Sequence, residues 1–347
     1  MRAVVVEAHG GPDKLRLVSA PDLACGPDDL IVEVAAAGVN FADVMGRQGS
    51  YPDAPAPPFV PGYEVAGVVG AVGARVRGFR PGDRVATLTR FGGYATQVRA
   101  QADTAWPIPD GVSFPTAAAV PVVYLTAYLV LETLGRCRSG ETILVDNAAG
   151  GLGLALIALA QLMDLQVVAL CSSAKRRPLR EATGVDAFDP AEPDLVERIR
   201  SAAPGGRVDL VVSSAGARFW SRALDLLAPG GRLAIVGIRP AANTRWARLS
   251  VLRDVVAMPW HRIHPLALMQ ANTAVFGINV LRLLDTRPEL VLRAWRQLGA
   301  LWHAGKLRPI VDSVHPLADA GAAQERLSTR SNFGKVVLDA GGCADAV

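Results

Sequence analysis

Cysteine is scarce in these 347 residues, and the four present, Cys25, Cys137, Cys171 and Cys343, sit far apart with no CxxC pair. That argues against a disulfide framework or a structural zinc lobe and fits a reducing compartment. Charge of one sign is also sparse. The formal excess of +4 is spread along the chain rather than gathered in a tail, which speaks for a solvated exterior and against a nucleic-acid surface. No run reaches about 18 uninterrupted apolar residues. The N-terminal MRAVVVEAHGG meets Glu7 after a short apolar stretch and carries no cleavage-like site. Neither a signal peptide nor a membrane span is expected, and the expected location is cytoplasmic.

What is present is the balance of an ordinary globular protein, half apolar and one-fifth charged, over a length that favours two domains. The first hundred residues read as short strands, Arg2–Glu7, Asp29–Ala36, Glu64–Val72 and Asp83–Thr89, joined by turns such as Gly10-Gly11-Pro12 and Pro81-Gly82-Asp83. Their spacing predicts a compact, partly closed β-barrel. The character changes near Pro115. An apolar helical run, Thr116–Leu134, is interrupted by Pro121, and from Glu141 strands and helices alternate. Strands at Ile143–Val145, Gln166–Leu170, Val208–Ser213 and Arg232–Val236 are predominantly apolar runs without alternation, as in a doubly wound parallel sheet covered on both faces. A helix over Leu290–His303 and strands at Arg308–Ser313 and Gly334–Leu338 close the chain.

The run Ile143 to Gly153, ILVDNAAGGLG, reads as a strand feeding a glycine-tight phosphate-binding turn. Its first fingerprint position is Ala148 rather than glycine, but small residues still let backbone approach a pyrophosphate. Ala149, Gly150, Gly151 and Leu152 are the residues that would touch it. The following helix aims free N–H groups and its positive dipole end at the same place. A tight strand-to-helix turn without ligand is the alternative; the strand before it, the helix after it and the β-α-β context favour a dinucleotide.

A chain preferring NAD carries an acid at the end of the second strand, about 20 residues on. Here that place reads Cys171-Ser172-Ser173-Ala174-Lys175-Arg176-Arg177. Three cations at a helix start oppose its dipole unless an anion sits there, and a 2′-phosphate supplies one. Ser172 and Ser173 can donate to it, and Lys175 or Arg176 can pair its charge. NADPH is therefore the expected cofactor, a solvated basic helix face being the alternative.

Taken together, Gly38-Val39-Asn40-Phe41-Ala42-Asp43, Pro61-Gly62-Tyr63-Glu64-Val65-Ala66-Gly67, Pro81-Gly82-Asp83-Arg84-Val85, Leu125-Thr126-Ala127-Tyr128, the AAGGLG turn and the tail Ser331–Leu338 form a specific set. On these the chain resembles the zinc-independent branch of the medium-chain dehydrogenase/reductases, within it the quinone oxidoreductase (zeta-crystallin-like) family. The segment Asn272–Asn279, NTAVFGIN, resembles the vesicle amine transport protein-like subgroup. The resemblance implies an α/β protein with a GroES-like β-barrel domain, residues 1–120 and 279–347, and a Rossmann domain, residues 121–278. It implies a cofactor in the cleft between them and a homodimer through the edge strand at Ala274–Asn279.

Zinc-dependent relatives place Cys where this chain has Asn40, His where it has Tyr63, and a further Cys near Val122. Asn and Tyr supply none of the thiolate, imidazole or carboxylate ligands zinc needs, so no metal is expected. Hydride transfer from the nicotinamide then carries the chemistry. Asn40 is a candidate donor to a carbonyl or a ribose hydroxyl, or else a turn residue. Tyr51 matches a tyrosine that assists protonation in related enoyl reductases, or it plugs a Pro-rich loop. The resemblance puts Thr126 and Tyr128 on the nicotinamide side, Asn332 and Lys335 on the cofactor, and Tyr51, Tyr63 and Phe276 at the substrate. Two features depart from the family. Asp146-Asn147 sets an acid beside the glycine turn, and Phe188-Asp189-Pro190 lacks a tyrosine that relatives place near the adenosine phosphate. His261 and His264 read as surface histidines rather than cleft residues. The expected activity is NADPH-dependent reduction of quinones or α,β-unsaturated carbonyls. A pathway-specific enoyl reductase of polyketide type and a non-catalytic NADPH-binding protein are the alternatives.

Overall fold

The computed structural model describes residues 1–237, 256 and 258–341. Strands β1 (Arg2–Val6), β2 (Leu15–Ser19), β3 (Asp29–Gly38), β4 (Glu64–Val72), β5 (Arg84–Leu88), β6 (Gln97–Gln101) and β7 (Ala105–Pro107) come first. The middle of the chain adds β8 (Thr142–Val145), β9 (Gln166–Leu170), β10 (Ala187–Phe188), β11 (Val208–Ser213), β12 (Leu227–Ile235) and β13 (Ala274–Gly277). The last strands are β14 (Val311–Pro316) and β15 (Lys335–Asp339). The chain divides into two compact units, Met1–Val123 with Trp295–Val347, and Tyr124–Ala294.

In the first unit, β14-β15-β3-β4-β5-β7 forms a continuous sheet, and the hairpin β1-β2 pairs by itself. The long strand β3 shares one edge between two partners: β6 pairs Asp29–Glu33, β15 pairs Ala36–Gly38, and β4 runs along the other edge. Inward-facing Val4, Leu30, Val32, Val65, Val85, Tyr94 and Leu338 fill the core. The chain end thus completes the GroES-like β unit begun by its start. β14 begins at Val311, three residues later than the sequence pattern indicates, because Pro309 cannot donate to a ladder.

The second unit is a six-stranded sheet in the order β10-β9-β8-β11-β12-β13, every neighbouring pair parallel. This is the doubly wound Rossmann order, reversing between β8 and β11. Leu144, Val168, Val211, Trp220 and Leu233 are buried in its core. The apolar run ahead of it forms helices Phe114–Ala118 and Pro121–Tyr128 and a π-helical turn Leu129–Leu134, broken at Pro121 as its sequence requires. By length and composition alone Phe114–Leu134 would also pass for a membrane-crossing helix, but 72% of its most apolar 18-residue window is buried inside the fold, as in the core helix of a globular unit.

Candidate functional site

In the first unit the Asn40 motif is organised around buried charge. Lys335, 4% exposed, donates from Nζ to Glu64 Oε1 at 2.6 Å, Asn40 Oδ1 at 2.6 Å and the Val39 carbonyl at 3.0 Å. Asn40 Nδ2 donates to Glu64 Oε1 at 2.7 Å, and the backbone N–H of Val122 donates to Glu64 Oε2 at 2.7 Å. A Cβ on Gly38 would lie 2.4 Å from Glu64 Oε1, so glycine there is what leaves room for the carboxylate. Breaking such a pair by removing one partner typically costs about 3–5 kcal/mol, because the other charge stays buried. The amide of Asn40 is thus fixed at both ends.

Asp43 supports the same turn. Its carboxylate accepts from the N–H groups of Asn40 and Gly62, both at 2.8 Å, and from the Tyr94 hydroxyl at 3.1 Å. Burial pushes its pKa up to about 7. Tyr51 and Tyr63 come together edge to face, with ring centres 6.2 Å apart, and Tyr63 leans on Phe91 at 5.1 Å. Tyr63 is 7% exposed, and its buried hydroxyl has no hydrogen-bond partner among the described residues. Burial drives that phenol well above its ordinary pKa, so it remains a donor at any working pH. Asn332 is buried and donates to the Gly334 carbonyl at 2.7 Å, shaping the turn into β15.

In the second unit the glycine turn leaves β8 beside the reversal point of the sheet. Gly150 caps the helix Gly151–Leu162 in an extended conformation. A Cβ on Gly153 would meet the Asn147 carbonyl oxygen at 2.1 Å and Ala148 Cα at 2.6 Å, so only glycine permits this approach of helix to strand. The N–H groups of the first helical turn have no acceptor within the helix, and free N–H groups of this kind, at the positive end of the helix dipole, are what an anion uses. Asp146 does not oppose that. Its Oδ2 accepts from Ser213 Oγ at 2.6 Å and from the N–H groups of Ser214 and Ala215 at 2.8 and 2.7 Å, so the acid is turned to the end of β11.

Beyond β9, the helix Ser173–Thr183 starts with Ser172 as its cap. Ser173 donates to Asp189 Oδ2 through its N–H at 2.6 Å and its hydroxyl at 2.7 Å, and those bonds hold the carboxyl below the usual carboxylate range. Arg176 pairs with Glu192 at 3.2 Å. Lys175 lies in the same first turn. Thr126 and Tyr128 are half-buried on one helix, and Phe276 is half-buried in edge strand β13. His264 is exposed and accepts from the Ala267 N–H through Nδ1, capping the helix Pro265–Ala271; His261 is exposed one turn earlier.

Sequence reading missed Glu64, Asp43 and Asp189. Glu64 follows Tyr63 directly, and an acid inside an otherwise apolar strand was the available signal; nothing local marked the other two.

No group of three or more His, Cys, Asp or Glu among the described residues is placed to hold a metal ion. Residues 26–110 match the alcohol dehydrogenase GroES-like domain, and residues 184–338 match the family described as zinc-binding dehydrogenase. The synaptic vesicle membrane protein VAT-1 homolog of Rattus norvegicus is 36% identical over 343 residues, 97% of this chain and 84% of its own. The quinone oxidoreductase of the same organism is 30% identical over 350 residues, 97% of each chain. Among solved structures, Escherichia coli quinone oxidoreductase complexed with NADPH matches with a TM-score of 0.83 at 28% identity, over 98% of this chain and 100% of that one.

Proposed function

This chain belongs to the medium-chain dehydrogenase/reductase family, in its quinone oxidoreductase branch beside the VAT-1 homologs, and on that premise we propose an NADPH-dependent, metal-free reductase of quinones or α,β-unsaturated carbonyls. The observation that carries the reading is the glycine turn at the reversal point of the parallel sheet, where Gly153 permits a contact no other residue would. Ala149, Gly150, Gly151 and Leu152 fit a pyrophosphate there, and Ser172, Ser173, Lys175 and Arg176 fit the adenosine end. NADPH, when bound, supplies the hydride.

The chain's own residues bind, orient and donate protons. Tyr63 offers a buried, protonated hydroxyl to a substrate oxygen, and Tyr51 packs against it as a second donor. The Asn40 amide carries two hydrogens. Glu64 accepts one and leaves the other for a carbonyl or ribose oxygen, while Lys335 and Glu64 fix the direction in which it points. In this reading Thr126 and Tyr128 contact the nicotinamide side, Asn332 shapes the turn on the cofactor side, and Phe276 borders the substrate. A cytoplasmic homodimer joined through β13 goes with the same proposal.

The test is NADPH oxidation by a panel of quinones and enones, before and after exhaustive treatment with a metal chelator. Equal turnover before and after is expected. Loss of turnover on chelation contradicts the metal-free chemistry, and tight NADPH binding without turnover on any acceptor makes the chain a non-catalytic binder.

A further inference from the structure

We infer that Asp189 sets how strongly this chain prefers NADPH over NADH, by holding a carboxylate on the donors that a 2′-phosphate would take; the inference rests on the nicotinamide-cofactor reading above. In a doubly wound dinucleotide fold the adenosine ribose is read at the end of the second strand, here β9 and the Cys171-Ser172-Ser173 turn that follows it. The sequence has no acid in that turn, but the sheet delivers one from the neighbouring strand. β10 pairs in parallel with β9, Ala187 opposite Ala169 and Phe188 opposite Leu170, so Asp189 emerges level with the turn.

There its Oδ2 takes both donors of Ser173, and its Oδ1 accepts the Ala191 N–H at 2.9 Å. The Ser173 N–H belongs to the first residue of the helix, the kind of group a phosphate oxygen uses. The cations beside it are engaged with acids as well: Arg176 with Glu192, which also pairs with Arg198 at 2.9 Å, and Arg177 with Glu181 at 3.7 Å. A 2′-phosphate therefore has to displace one carboxylate from Ser173 and settle among others. A ribose diol is neutral and can donate to Asp189 as it stands. The first effect weakens NADPH and the second supports NADH, so both narrow the margin between them.

Equilibrium binding of NADPH and NADH, followed by calorimetry, tests this on the wild-type chain, Asp189→Asn and Asp189→Ser. Asn keeps an acceptor oxygen at the helix start without the charge, and thermal melts identify a variant that fails to fold. In the wild type the two dissociation constants are expected to lie within about tenfold of each other. Removing the charge should tighten NADPH by roughly tenfold, the order of one like-charge contact near a surface, while NADH tightens not at all. Lys175→Ala with Arg176→Ala should move the ratio the opposite way. If the NADPH-to-NADH ratio stays within twofold of wild type in both folded Asp189 variants, or if NADPH weakens in them, the inference is overturned and the cofactor reading stands. If the wild-type chain binds neither nucleotide, the cofactor reading fails and takes the inference with it.

Discussion

Tyr63 carries a hydroxyl that folding removes from water without giving it a partner among the described residues. An unsatisfied buried polar group costs about 1–3 kcal/mol, and phenylalanine would keep the contacts to Tyr51 and Phe91 without that penalty. Tyr63→Phe is therefore expected to melt at a higher temperature than wild type. If the hydroxyl serves substrate, the same variant should lose roughly tenfold or more in kcat/KM toward carbonyl acceptors, the range of one donor in a desolvated site, with NADPH affinity unchanged. Higher stability with undiminished turnover would reduce Tyr63 to packing. At this scale the sequence is a partial guide. Asn40 and Tyr63 could be picked out because both positions lie inside short recognisable motifs. The bond from Lys335 to Asn40 was not, since it joins residues 295 apart in the chain. From its turn Lys335 read as a cofactor contact, whereas the fold spends its three ammonium hydrogens on Glu64, Asn40 and Val39.

Elements were more legible than side-chain partners. Apolar strands alternating with helices, and a proline break at Pro121, follow from local pattern, and the glycine turn was marked by the strand before it and the helix after it. β10 was invisible because two residues, Ala187 and Phe188, have no periodicity to read. Missing β10 hid Asp189, whose position depends on that strand's pairing with β9. β13 has a consequence of its own. Among the described residues it is the edge of the parallel sheet, with no strand paired beyond it, and Leu266 and Met269 on the preceding helix are 62% and 65% exposed. An unpaired edge beside exposed apolar side chains is a template for a second strand. Light scattering is expected to give twice the 36.5 kDa chain mass, and Phe276→Arg should shift the population to monomer; a wild-type monomer at micromolar concentration would refute the edge-strand dimer.

For the whole molecule, two units were expected from length, and the motifs that identify them are strung from Gly38 to Leu338. What the sequence could not supply is substrate shape, because that is set by side chains brought together from distant segments, as Tyr51, Tyr63 and Phe91 are. Hydride transfer itself can be followed directly. NADPH deuterated at the nicotinamide C4, on one face and then the other, is given to the purified protein with an enone in unlabelled buffer, and the product is read by mass spectrometry. Deuterium from one of the two labelled cofactors is expected at the β-carbon of the saturated ketone. Product without deuterium from either cofactor, or no product while NADPH remains bound, would contradict a reductase that passes hydride from NADPH to carbon.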